Sequence, residues 1–95
     1  MIMYLYSSRN RKSGQYGKLT TELYNADQIK ELYAVSVKEA QESERVYLRE
    51  LEVYCVGTLD TETGLIIPQN TFILDVGSLL GSVEHGKEEV VEQSV

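Results

Sequence analysis

The chain of 95 residues contains no tryptophan and has only one cysteine (Cys55), one histidine (His85), one proline (Pro68) and one phenylalanine (Phe72). A single cysteine excludes an internal disulfide, and one cysteine with one histidine cannot assemble a metal site. The histidine lies in an acidic stretch near the end, so no Ser-His-Asp set can be drawn and an enzyme is not expected. The glycine pairs at 14–17 and 77–81 miss the spacing of phosphate-cradling loops. Asp60 and Glu62 fall short of the ligand count of a calcium loop. No cofactor is therefore expected. Long apolar runs are also missing. The opening MIMYLY is followed by arginines and is far too short for a signal peptide or a membrane span. A reducing cytoplasmic compartment, with no membrane partner, is the expectation.

What is present suits a folded protein. Hydrophobic residues make up 42% and there are seven tyrosines, which argues against wholesale disorder. Ninety-five residues leave room for one core, and oligomerisation is a common supplement at this size. The formal charge of -6 is unevenly spread. Residues 1–18 hold four bases (Arg9, Arg11, Lys12, Lys18) and no acid, leaving five bases against fifteen acids, a net -10, for the rest. Such a balance argues against coating nucleic acid with the whole surface, yet allows a local basic arm.

The expected architecture is α+β, a small antiparallel sheet of four or five strands with one amphipathic helix packed on a face. Residues 2–6 read as a first strand, apolar on both faces and hence either central or covered on both sides. Residues 7–17, SSRNRKSGQYG, read as a long loop, and 18–23 as a second strand. Asn25 and Gln28 form a capping box, Tyr24 and Ile29 a staple, and Asp27 suits the first turn. The apolar stripe Ile29, Leu32, Tyr33, Val37 and Ala40 predicts a helix to about residue 42. Residues 43–50 read as a connector or bulge. Leu51, Val53 and Cys55 alternate with Glu52, Tyr54 and Val56 as one strand of a hairpin. Asp60 and Gly64 form its turn, with Gly64 free to take positive φ. Pro68 is expected to interrupt the returning strand, residues 68–70 to turn, and 71–76 to form a last strand. The domain is expected to span 1–81, with 82–95 an acidic, flexible tail.

Across roughly residues 4–80 the chain resembles the small nonstructural protein of gokushoviruses, single-stranded DNA bacteriophages of the microvirus family. The resemblance rests on the aromatic start MYLYSS, on Asn25-Ala26-Asp27 followed by Ile29, Leu32 and Tyr33, and above all on ELEVYCVGTLDTETGLI. There Glu50, Leu51, Val53, Tyr54, Gly57, Asp60 and Gly64 follow the family order. The resemblance implies a part in phage DNA replication or packaging, with DNA as the ligand, inside a bacterial host cell.

The residues offer one stretch for such a ligand. Arg9, Arg11, Lys12 and Lys18 suit phosphate pairing and Tyr16 base stacking, the chemistry of sequence-tolerant single-strand binding. Tyr4 and Tyr6 could extend the platform, although alternating tyrosines more often pack within a sheet. Cys55, on the apolar side of its strand, reads as a small buried hydrophobe. The expected function is a non-enzymatic phage accessory protein binding single-stranded DNA. Its alternative is an acidic adaptor that contacts a phage or host protein without DNA. A homodimer through sheet edges or the exposed helix face is compatible with both.

Overall fold

The computed structural model describes residues 1–94, with side chains described as far as residue 85. Seven elements follow in order: β1 (Ile2–Asn10), β2 (Tyr16–Glu22), α1 (Ala26–Glu39), α2 (Glu42–Leu48), β3 (Leu51–Asp60), β4 (Ile66–Asp75) and α3 (Val76–Ser94). The strands form one antiparallel sheet in the order β2-β1-β3-β4. The α+β class is as expected, and β1 is indeed central. The chain reads as two ββα units, β1-β2-α1 and β3-β4-α3, joined by α2 and paired back to back through β1 and β3.

The two hairpin turns are built alike. Asn10 Oδ1 accepts the amides of Lys12 and Ser13, and Asp60 Oδ1 accepts that of Glu62. Gly14 and Gly64 donate to the carbonyls of Asn10 and Asp60 at 2.8 and 2.7 Å. Ser13 Oγ and Thr63 Oγ1 each accept the amide two residues on, at 3.2 Å. Gly14 and Gly64 take φ of 72° and 74°, a region that a side chain disfavours. The shared pattern Asx-x-x-Ser/Thr-Gly recurs fifty residues apart. The long loop expected at 7–17 is therefore mostly strand. Residues 7–10 continue β1 and 16–17 begin β2, because the Asn10 turn needs only the five residues between.

One face of the sheet carries the core. Leu51, Val53 and Cys55 of β3 pack with Tyr6 of β1, Ile29 and Val37 of α1, and Val76 and Leu80 of α3. The capping box forms as expected: Asn25 Oδ1 accepts from the Gln28 amide and Gln28 Oε1 from the Asn25 amide. Leu32, expected in the core stripe, is 47% exposed. Ile29, Tyr33 and Val37 already fill the narrow contact α1 makes with the sheet and α3.

Two further expectations are corrected. Residues 43–50 are mostly helix α2, since Arg45 turns inward and its Nε donates to the Ala40 carbonyl at 3.1 Å. Residues 68–70 are not a turn, because β4 runs through Pro68 as an edge strand needing only one ladder. Two register shifts against β3 absorb the irregularity; the one beside Phe72 turns consecutive Ile73 and Leu74 into the core. Beyond residue 81, where the sequence reads as an acidic tail, the chain continues α3 as far as Ser94. Val83 packs against the core, and Glu84 meets Arg49 at 2.6 Å and Arg45 at 3.8 Å. The tail side chains from residue 86 lie outside the described residues. Gly77 fits tightly at the start of α3, where an alanine Cβ would run into the Arg49 carbonyl.

Candidate functional site

The sheet face opposite the helices is uncovered. Residues between the buried ones of β3 point there, and cross-strand partners share a face. The face thus carries Arg9 beside Glu52, and Ser7 beside Tyr54. Leu19 of β2 lies opposite Ser7, Tyr16 opposite Arg9, and Phe72 of β4 opposite Tyr54. Ser7 is small, so Tyr16 and Tyr54 meet over it with ring centroids 5.5 Å apart and planes at 66°. Tyr54 then meets Phe72 at 5.7 Å and 77°. Asn70 Nδ2 donates to Tyr16 Oη at 3.0 Å, so one side chain from β2 reaches across to β4. Leu5, buried yet outside the main core, lies on this face beneath Ile66. Leu19, Ile66 and Phe72 remain 58%, 59% and 52% exposed.

Three of the four basic residues expected to hold phosphate are placed on or beside this face, each with an acidic partner. Arg9 Nη1 is 3.0 Å from Glu52 Oε1. Arg11, in the first turn, bonds Asp75 at the junction of β4 and α3. Lys12 Nζ is 3.6 Å from Glu50 Oε1. Three cations thus meet three carboxylates and the local charge cancels. Burial raises the Asp75 pKa, but the Ser78 amide and Arg11 outweigh it and hold the carboxyl below its ordinary value. Lys18 faces the other way, into a cleft of about 90 Å³ beside Tyr33 and Val53. Among the described residues it has no ion-pair partner. Of the five residues expected at the site, the structure brings Arg9 and Tyr16 together on the face, sets Arg11 and Lys12 at its rim, and separates Lys18.

Sequence reasoning missed Tyr54, Phe72 and the three carboxylates. A signal existed for Tyr54 and Glu52: both alternate with the buried residues of β3, so they had to share the opposite face. Tyr4 and Tyr6 are not part of this platform. Their rings stack on the helix side at 6.3 Å, and Tyr6 Oη donates to the Tyr24 carbonyl at 2.6 Å. Cys55 is buried in the core, its Sγ donating to the Gly57 carbonyl at 3.4 Å.

Among the described residues no group of three His, Cys, Asp or Glu is placed to hold a metal ion, and no helix is long and apolar enough to cross a membrane. Compared with models of protein families, with characterised proteins and with solved structures, the chain matches none.

Proposed function

We propose that the protein is a non-enzymatic interaction module that docks an apolar segment of a partner protein across its uncovered sheet face. One observation carries this reading: Arg9, Arg11 and Lys12 are already paired with Glu52, Asp75 and Glu50, while the same face leaves Leu19, Ile66 and Phe72 open to solvent. A phosphate would have to displace an existing carboxylate from each cation, whereas an apolar partner needs no pair broken. The rings also lean edge to face on one another, an apolar packing arrangement rather than a row of flat stacking surfaces. In the phage setting that the resemblance implies, the partner is a phage or host protein.

The second reading is single-stranded DNA binding in replication or packaging. It is favoured by three aromatic rings in line across the sheet and by Lys18, which has no ion-pair partner among the described residues. A photo-crosslinking residue at Leu19, with a control at exposed Lys38 on α1, separates the two inside cells. A protein adduct specific to position 19 is the expected result. A nucleic-acid adduct there transfers the conclusion to the second reading, and equal labelling from both positions rejects each of them.

A further inference from the structure

We propose that the free edge of β4 pairs with the β4 edge of a second copy of this chain, antiparallel about a two-fold axis near Thr71, making one eight-stranded sheet. A sheet edge offers a row of unpaired backbone donors and acceptors, and natural proteins blunt such edges with charge, proline or short length. The two edges here differ. β2 is seven residues long and carries Lys18 and Glu22. β4 is ten residues long, and from residue 63 to 74 the sequence TGLIIPQNTFIL has no charged side chain. It is blunted by Pro68 and by two register shifts against β3, one between Pro68 and Thr71 and one between Phe72 and Leu74, so the regular segment able to extend the ladder is centred on Thr71 and Phe72.

Charge selects the same edge for self-association. Two copies of a chain with net charge -6 repel wherever their acidic surfaces meet. Both ends of β4 are compensated within each copy: Glu62 lies 3.8 Å from the N-terminal amine, and Asp75 bonds Arg11. A two-fold contact is self-complementary, so an uncharged strand meets an uncharged strand. An axis at Thr71 puts Thr71 opposite its own copy, a favourable cross-strand pairing, and sets Asn70 opposite Phe72. It also joins the two uncovered faces through Phe72, which is half exposed in the single chain. The protein already uses this geometry internally, since β1 and β3 pair two ββα units edge to edge.

Sedimentation equilibrium of the full chain, wild type against Thr71→Lys and Thr21→Lys, tests the proposal. Thr71→Lys sets two ammonium groups facing each other across the axis, whereas Thr21→Lys puts the same charge on the β2 edge. The wild type and Thr21→Lys are expected at twice the 10.8 kDa chain mass, with Thr71→Lys dissociating roughly fivefold more readily. Amide exchange of the wild type at low and high concentration gives a check that needs no variant: residues 69–73 should gain protection as concentration rises. A wild type that stays at the single-chain mass, association unaffected by Thr71→Lys, or concentration-dependent protection confined to other segments overturns the proposal.

Discussion

Tyr6 shows how one side chain binds the sheet to the helical layer. It is only 4% exposed and its hydroxyl donates to the Tyr24 carbonyl just ahead of the cap of α1. Burial first, then the neighbouring Cys55, Tyr4 and Glu22, push its pKa from 10.0 up to about 12. Ionisation is therefore easier in the unfolded chain. The associated stability is complete below pH 10 and is lost as pH rises from 10 to 12. Replacing Tyr6 with phenylalanine should cost about 1 kcal/mol near neutrality, the net worth of one hydrogen bond. It should also flatten the decline between pH 10 and 12. Thermal melts of the two proteins across that range test both: parallel decline would place the alkaline sensitivity elsewhere.

Asp75 does comparable work between elements. It ends β4, its Oδ1 accepts the Ser78 amide at 3.0 Å as an N-cap does, and it bonds Arg11 of the first turn. Asp75→Ala should destabilise the fold by about 1–2 kcal/mol, whereas Asp75→Asn, which can still cap, should lose much less. Because the folded carboxyl is held below its ordinary value, its contribution is present above that value and is lost as pH falls through the depressed one. Chemical denaturation at pH 7 and pH 3 should therefore show a smaller pH effect in Asp75→Asn than in wild type. What was legible in the sequence was local: the Asn25–Gln28 box, the Asp60–Gly64 turn and the alternation of β3 each carry their physics within a few residues. What was not legible depended on distant partners. Pro68 was compatible with a strand only once β4 became an edge, and 43–50 became helix through an inward Arg45. Arg11 could not be matched with Asp75 across 64 residues. The cations of the candidate site were visible, and their pairing with Glu50, Glu52 and Asp75 was not.

The charge arrangement of the whole molecule bears on which of the two proposed ligands the uncovered face would take. Its net -6 does not by itself bar DNA, because a local basic row can act alone within a Debye length. The pairing of that row is the decisive feature. Glu50 and Glu52 are half-buried side chains of the β3 strand and its approach, and they hold Lys12 and Arg9 at 3.6 and 3.0 Å. Replacing both with glutamine keeps their shape while leaving the two cations without anionic partners. Each pair is partly solvated, so the cost in stability should be small, roughly 0–1 kcal/mol per pair. The effect on binding should be larger. Wild-type protein should give no anisotropy change with a labelled single-stranded oligonucleotide at physiological salt. The Glu50→Gln/Glu52→Gln protein should bind at low salt, with log affinity falling against log salt at a slope of roughly -1.4, about -0.7 for each of two phosphates engaged. Binding by wild type with that slope would mean that phosphate displaces the carboxylates unaided, and DNA would become the ligand of the uncovered face. Absence of binding by the variant would mean that freed charge is insufficient and that the face is built for an apolar partner alone.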